Sequence, residues 1–171
     1  MNLARHTKTK IILTLMLLSC SRSLFAAEPK ADAVTPLGAY SRIKATNDHT
    51  YGHEMRLWQT GSRLMGQVLY WDGNPEAQKG AFADGAYNPK SGEIQFKLTI
   101  TQRDVQPNIQ TAASFSGRLV KNTLIGGLKW EGPAAQTRGK AGTETLSLPK
   151  SRDSPLERYA NGDAWRKAVT D

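Results

Sequence analysis

Segments in which apolar and polar residues alternate fill the middle of the chain. The clearest is 93–101 (EIQFKLTIT), where Ile94, Phe96, Leu98 and Ile100 are separated by polar residues. Successive side chains of a β-strand point to opposite faces of the sheet, so this period of two predicts a half-buried strand. The same pattern, interrupted by Gly, Pro, Asn and Asp, predicts strands at 37–45, 54–60, 63–71, 80–87, 93–101, 113–120, 123–130 and 143–148.

Eight short strands at near-regular spacing predict an all-β fold, a small antiparallel meander β-barrel that spans 37–148. Tight connections such as Gly61-Ser62 and Lys121-Asn122 favour neighbouring antiparallel strands, and closure leaves no exposed sheet edge. The predicted inward-facing residues, or their neighbours if the register is opposite, are Leu57, Leu64, Val68, Ile94, Phe96, Leu98, Leu124 and Leu128. This layout is similar to that of lipocalin- and avidin-like barrels, a likeness of topology that implies no particular ligand.

The segments on either side of the predicted barrel differ from it. Residues 28–36 (EPKADAVTP) are polar and bounded by proline, which indicates a linker. Residues 149–171 are predicted to form a C-terminal tail with a short helix. Ser154-Pro155-Leu156-Glu157 has the residues of a helix start, with Ser as the N-cap and Pro at the first helical position. Asn161-Gly162 weakens or breaks this helix before a last turn that carries Trp165, and packing on the barrel keeps Trp165 from solvent.

The first 27 residues have the order of an export signal, namely a basic stretch, an apolar run and small residues. The apolar run at 11–18 (IILTLMLL) is shorter than the roughly 20 residues of a membrane-spanning helix. One predicted cleavage site lies near Ala26-Ala27. The other precedes Cys20, because Leu17-Leu18-Ser19-Cys20 resembles the lipobox of bacterial lipoproteins. That resemblance implies that the Cys20 thiol receives a diacylglyceryl group.

Two observations favour lipidation at Cys20. The apolar run ends just before this residue, and the chain has one Cys, whose thiol would be a redox liability in an exported protein. The alternative is a leader Cys that is cut away with the signal peptide. We therefore expect an exported protein, periplasmic or anchored in the outer membrane, that contacts the membrane only through this lipid anchor.

Removal of the leader changes the charge of the protein. The chain has 23 basic and 15 acidic residues and a formal net charge of +8, but four basic residues and no acid lie within 1–27. The remaining charge of +4 is ordinary for a soluble domain. The sequence contains no basic cluster with interleaved aromatic residues, so no nucleic-acid partner is expected.

Two stretches of the predicted barrel resemble each other. Trp71-Asp72-Gly73 and Trp130-Glu131-Gly132 each end an apolar strand and are followed by a Pro, an Ala-Gln pair, a base and a Gly. They predict two similar halves of one barrel, with both loops at the same end. In that arrangement Trp71, Asp72, Trp130 and Glu131 line a ligand-binding mouth. The alternative is that the indole rings plug the barrel end while the acids and glycines form turns.

Candidate metal ligands occur in one short segment. Asp48, His49, His53 and Glu54 supply two imidazoles and two carboxylates, which are possible zinc ligands. The segment resembles a hairpin loop that leads into a strand, and no second pair of ligands follows at a matching spacing. We interpret these residues as solvated loop residues and expect neither a metal nor a cofactor.

The sequence favours binding over catalysis. It has no Gly-x-Ser-x-Gly nucleophile motif, and the carboxylates available to a hydrolase are Asp72, Asp84 and Glu131. We expect an envelope protein that binds a small amphipathic molecule or a protein partner without covalent chemistry. The first alternative is an accessory subunit of an envelope complex with no small ligand, and the second is a carboxylate-dependent hydrolase.

Overall fold

Strands make up most of the described part of the chain. The computed structural model describes residues 33–102, 109–132 and 142–170. The predicted signal peptide, Cys20 and most of the predicted linker lie outside the described residues. The elements within them are β1 (Thr35–Ala45), β2 (Thr50–Thr60), β3 (Arg63–Asp72), β4 (Gln78–Tyr87), β5 (Glu93–Gln102), β6 (Ile109–Val120), β7 (Thr123–Glu131), β8 (Gly142–Pro149) and helix α1 (Gly162–Thr170). The predicted fold of eight strands and a short C-terminal helix is confirmed.

Each strand pairs antiparallel with the next one along the chain, so the sheet is a meander that curls into a nearly closed barrel. Lys121-Asn122 connects β6 to β7 as predicted, and Lys121 has a φ of 55°, which is typical of tight hairpin turns. The β4–β5 ladder is interrupted between Lys79 and Ala86. β1 begins at Thr35, two residues before the predicted start of the barrel.

The barrel interior is packed with its own side chains. All eight residues predicted to face inward are buried in one hydrophobic cluster, so the predicted register is confirmed. The rings of Phe82, Phe96 and Phe115 stack across this cluster, with centroid distances of 4.0 Å and 5.1 Å. A Cβ atom on Gly66 would lie 2.6 Å from the Phe82 ring. Glycine at this strand position therefore makes room for the aromatic stack.

A second buried cluster lies on the outer face of β2 and β3. It consists of Val34, Trp58, Met65 and Trp165. The indole N–H of Trp58 donates a hydrogen bond of 2.9 Å to the carbonyl oxygen of Glu157, and the Trp58 and Trp165 ring centroids are 5.9 Å apart. The C-terminal tail therefore covers the outside of the barrel wall, where burial of apolar surface stabilises it.

The predicted position of the helix start is wrong. Helix α1 begins at Gly162, eight residues after Ser154. The Ser154 hydroxyl donates to the Glu54 carboxylate over 3.3 Å, and Val34 and Tyr159 exchange two backbone hydrogen bonds of 2.9 Å and 3.0 Å. These contacts hold 154–159 against the barrel, and they outweigh the local preference of Ser-Pro-Leu-Glu for a helix start.

Asn161 is the N-cap of α1. Its side-chain oxygen accepts a hydrogen bond of 2.9 Å from the backbone N–H of Ala164. The helix then places Trp165, which is fully buried, against the barrel wall as the sequence predicted. Among the described residues, no helix is both long enough and apolar enough to span a membrane.

Candidate functional site

One end of the barrel, called here the rim, is where β3 and β7 finish. Alternate strands of an antiparallel meander run in the same direction, so both odd-numbered strands end on the same side. Trp71-Asp72 at the end of β3 and Trp130-Glu131 at the end of β7 therefore both reach the rim.

The two Trp side chains lie on opposite faces of the barrel wall. Trp130 faces inward, is 5% exposed, and has its ring centroid 5.1 Å from that of Tyr70. Trp71 follows Tyr70 in β3, so it points outward, where it is half-buried. The structural counterpart of Trp130 is therefore Tyr70 rather than Trp71.

A different alignment of the sequence would have shown this offset. The inward residues Leu64, Gly66, Val68 and Tyr70 of β3 match Leu124, Gly126, Leu128 and Trp130 of β7. The repeated Leu-x-Gly-x-aliphatic-x-aromatic pattern is anchored on its glycines. Aligning the two indoles instead shifts the match by one residue, and a shift of one residue in a strand exchanges its two faces.

Glu131 belongs to a polar group on the outer face of the wall. Its carboxylate accepts a hydrogen bond of 3.2 Å from the Ser114 hydroxyl and lies 3.3 Å from the Lys129 ammonium. Lys129, followed by Ser114, lowers the pKa of the Glu131 carboxyl from its ordinary value. An exposed carboxylate that is held ionised in this way is suited to a surface ion pair rather than to proton donation.

Asp84 lies far from the other candidate carboxylates. It forms an ion pair with Arg63 at the first residue of β3, whereas Asp72 is the last residue of that strand. At a rise of about 3.3 Å per residue, the two ends of β3 are separated by roughly 30 Å. Asp72 and Asp84 therefore do not face each other across one cleft.

The candidate metal ligands do not come together, because two of them lie on opposite faces of one strand. His53 and Glu54 are successive residues of β2, so they point to opposite faces, and Glu54 accepts a 2.6 Å hydrogen bond from Arg56 on the outside. His49 lies in the preceding turn, where its Nδ1 atom donates over 3.0 Å to the carbonyl oxygen of Gly73. Within the described ranges, no three His, Cys, Asp or Glu residues are grouped as metal ligands would be.

His53 is a buried inward-facing residue near the rim, which the sequence did not indicate. It is 4% exposed, its Nε2 atom lies 3.4 Å from a Glu144 carboxylate oxygen, and its ring centroid is 4.8 Å from that of Tyr70. Gln78 and Thr111 are also buried at this level of the barrel. The hydrophobic interior therefore ends in a layer of polar and aromatic side chains below the rim. β2 begins at Thr50, four residues before the predicted start, so His53 lies within the strand rather than in the preceding loop.

A cleft of about 380 Å³ opens beside this layer, between β1 and β8, and is called here the seam cleft. Its charged lining residues are Arg42, Lys44, Asp72 and Glu144, and its aromatic ones are Tyr51, His53, Tyr70 and Trp71. The β8 wall of the cleft runs from Glu144 to Leu148. The structure thus places Trp71 and Asp72 of the predicted site at one cleft, with Trp130 and Glu131 outside its lining.

A larger cleft of about 970 Å³ lies on the outer face of the barrel. It is bounded by β2, β3 and β4 and by the C-terminal tail at Pro155 and Val169. Its charged lining residues are Arg56, Glu76, Lys79 and Glu157, which carry equal numbers of positive and negative charges. In this balance of charges the larger cleft does not differ from the seam cleft, whose lining also holds two cations and two carboxylates.

Comparison of the chain with protein-family models, with curated proteins and with solved structures found no match.

Proposed function

We propose that the protein is an exported, lipid-anchored binding module whose ligand occupies the seam cleft, without covalent chemistry. The observation that carries this proposal is the lining of the cleft, where charged side chains of both signs, among them Arg42 and Lys44, lie beside the rings of Tyr51 and Tyr70. Charged groups beside apolar rings match an amphipathic small molecule or an amphipathic segment of a protein partner.

The packed interior supports binding at the barrel wall rather than within the barrel. The Phe82–Phe96–Phe115 stack occupies the centre, and a Cβ on Gly66 would already collide with it. An enclosed ligand would have to displace these rings, whereas a ligand in the seam cleft leaves them in place.

Export and anchoring are tested on the full chain in a bacterial host by mass spectrometry of the mature N-terminus. We expect a product that begins at Cys20 with a diacylglyceryl modification, and a Cys20→Ser variant that leaves the membrane fraction. A product that begins after Ala27 would support export and overturn the anchor. A mature protein that retains Met1 would overturn both.

Binding at the seam cleft is tested with anilinonaphthalene sulfonate, an anionic amphiphile whose emission rises in apolar surroundings. The double variant Arg42→Glu/Lys44→Glu should weaken binding at least about tenfold, since it reverses both cations of the cleft. Lys90→Glu is the matched control, because Lys90 is an exposed cation in the β4–β5 turn at the opposite end of the barrel. Equal binding by the double variant and the control would rule out the seam cleft as the site.

The accessory-subunit alternative is favoured by one observation. Val120 and Ile125 are 38% and 40% exposed, and they are diagonal neighbours on the outer face of the β6–β7 hairpin. Trp165 offers no such surface because it is buried against the barrel. If this patch binds a protein partner, Ile125→Lys should abolish the interaction and leave anilinonaphthalene sulfonate binding unchanged.

A further inference from the structure

Exposed cations gather at the end of the barrel opposite the rim. They lie in the β4–β5 turn, around the β6–β7 turn and just after β8, and they form the surface called here the basic end, which consists of Lys90, Arg118, Lys121, Lys150 and Arg152. Hydrogen bonds join these segments. The N–H of Leu119 donates over 2.8 Å to the carbonyl oxygen of Gly92, and the N–H of Lys150 donates over 2.7 Å to that of Asn122. The cations therefore belong to one contiguous surface.

The cations of the basic end outnumber the carboxylates of the same segments. Among the described residues, these carboxylates are Glu93 at the start of β5 and Asp153 just after β8. None of the five cations lies within ion-pair distance of a carboxylate in the described ranges. On the adjoining side of the barrel end, Arg63 and Asp84 neutralise each other in an ion pair. The basic end thus carries an excess of positive charge that attracts an anionic partner.

Two aliphatic side chains are exposed among these cations. Val120 and Ile125 are 38% and 40% exposed on the outer face of the β6–β7 hairpin. Ile125 pairs directly with Arg118 across this hairpin, and Val120 precedes Lys121, so each aliphatic side chain stands beside a cation. This combination is typical of surfaces that bind an anionic lipid layer, where cations meet the headgroups and apolar side chains enter the boundary with the acyl chains.

We propose that the basic end is a membrane-docking surface that binds anionic phospholipid headgroups and places Val120 and Ile125 among them. It goes beyond the proposed function, because none of its residues lines the seam cleft and because the expected membrane contact was the lipid anchor alone. Each cation close to an anionic leaflet gains from the surface potential of that leaflet, and the gains of several cations add. Two aliphatic side chains alone bury little apolar area, so the cations and the aliphatic pair act together.

The position of β1 supports this orientation. Odd-numbered strands begin at the end of the barrel opposite the rim, so β1 starts at the basic end. Cys20 precedes Val34 by fourteen residues, which span at most roughly 50 Å. A chain anchored at Cys20 would therefore hold the barrel near the membrane and enter it at the end that carries the cations. This supporting argument rests on the proposed anchor, whereas the charge and the exposed aliphatic pair do not.

The opposing interpretation is that the cations keep the exposed aliphatic pair from associating with other molecules. Surface charge commonly has this role, since like charges on two copies repel each other. The two interpretations differ in their dependence on lipid. Membrane docking requires a preference for anionic vesicles that is located at the basic end, whereas solubility requires no affinity for lipid.

The first experiment measures vesicle binding by the full chain with Cys20→Ser, which cannot receive a lipid. All variants share the N-terminus of this chain, so a difference between them reports the barrel alone. We expect vesicles that contain phosphatidylglycerol to bind it at least about tenfold more tightly than vesicles of phosphatidylcholine alone. Lys90→Glu/Lys121→Glu should remove at least about tenfold of this affinity, because it reverses two cations of the basic end.

Lys97→Glu/Lys167→Glu is the matched control. It changes the net charge equally at two exposed lysines, one on the outer face of β5 and one on α1, and it should weaken vesicle binding less. Urea unfolding of both double variants shows whether they fold like the parent chain.

The second experiment locates the surface that meets the lipid. The chain has one Cys, so Cys20→Ser combined with Val120→Cys or with Ile43→Cys gives a single thiol for a nitrobenzoxadiazole label, whose emission rises in apolar surroundings. Ile43 is 42% exposed on β1 and lies outside the basic end. Vesicles that contain phosphatidylglycerol should raise the emission of the label at position 120 and leave that at position 43 unchanged.

The outcomes separate membrane docking from its alternatives. Equal binding to the two kinds of vesicle, or equal weakening by the two double variants, would overturn docking by the basic end. Emission that rises equally at positions 120 and 43 would show adsorption without a preferred face and would also overturn it. Absence of vesicle binding would overturn it and favour the accessory-subunit alternative for Val120 and Ile125. The seam cleft and the anchor are unaffected by each of these results, because anilinonaphthalene sulfonate and the mature N-terminus test them separately.

Discussion

At the scale of single residues, Gly66 decides whether β3 and the aromatic stack can pack together. A Cβ there would lie 2.6 Å from the Phe82 ring and 2.8 Å from the carbonyl oxygen of Arg56. We expect Gly66→Ala to lower the free energy of unfolding by about 1–3 kcal/mol, as overpacked cores do. Gly162→Ala is the control, because its nearest neighbour is Met65 Cε at 3.6 Å and alanine favours a helix by up to about 1 kcal/mol. Urea unfolding of both variants measures the difference, and equal stabilities would contradict it.

Titration of Tyr40 lowers the stability of the barrel at alkaline pH. Burial, followed by the nearby Tyr87, raises the pKa of Tyr40 to about 12, and its hydroxyl donates to the carbonyl oxygen of Leu37 over 3.3 Å. The folded protein therefore holds this proton more tightly than the unfolded chain, whose Tyr pKa is about 10. The resulting stability is complete below pH 10 and is lost as the pH rises towards 12.

The Tyr40→Phe variant tests this dependence. Its free energy of unfolding should fall less steeply between pH 10 and pH 12 than that of the wild type, as measured by urea unfolding at several pH values. Tyr51→Phe serves as the control, since Tyr51 is 46% exposed at the rim. The same slope for all three proteins would show that Tyr40 is not the titrating group.

At the scale of elements, the C-terminal helix depends on Asn161 rather than on Ser154. Asn161→Ala removes the acceptor for the Ala164 N–H and should destabilise the protein by about 1 kcal/mol, with loss of helical circular dichroism. Ser154→Ala removes only a hydrogen bond to Glu54, so the helical signal should persist. Loss of the helical signal in Ser154→Ala would restore the helix start that the sequence favours.

The strands could be predicted from the sequence because their period of two is a local property. The interior is apolar and the outside largely polar, so Ile94, Phe96 and Leu98 indicate both the strand and its inward face. The helix start could not be predicted, because the tail is held by Trp58 and other residues about a hundred positions earlier in the chain. Local capping preferences contain no information about such contacts.

Only part of the candidate site followed from the sequence. The shared rim follows from the meander, since strands with even separation run in the same direction. The orientation of Trp71 could not be predicted in this way. The apparent repeat aligns Trp71 with Trp130, whereas in the strands the counterpart of Trp130 is Tyr70, one residue earlier. The seam cleft lies where β1 and β8 part, and the distance between the first and last strands is a property of the closed sheet rather than of any segment.

At the scale of the whole molecule, the C-terminal tail packs on the outer wall of the barrel and helps to hold it together. It continues directly from β8, and its Tyr159 pairs with Val34 just before β1, so it links the two ends of the barrel chain. Trp165 is fully buried against Trp58, with the rings at a near-perpendicular angle of 66°. This placement keeps an apolar stripe of β2 and β3 from water, and an uncovered stripe would favour association between molecules.

Trp165→Ala should therefore release the tail and destabilise the protein. Loss of a fully buried Trp costs about 3–5 kcal/mol, and the freed tail should be cleaved by protease faster than the barrel. Trp71→Phe is the matched control, because Trp71 is half-buried at the rim and does not belong to the second buried cluster, which contains Trp165. Urea unfolding gives the stability and limited proteolysis locates the cut. If packing of the tail stabilises the protein, the first cuts in Trp165→Ala fall after Pro149 and the barrel strands remain protected. Cuts that begin within the barrel, or a variant as stable as the wild type, would show that the tail does not stabilise the protein in this way.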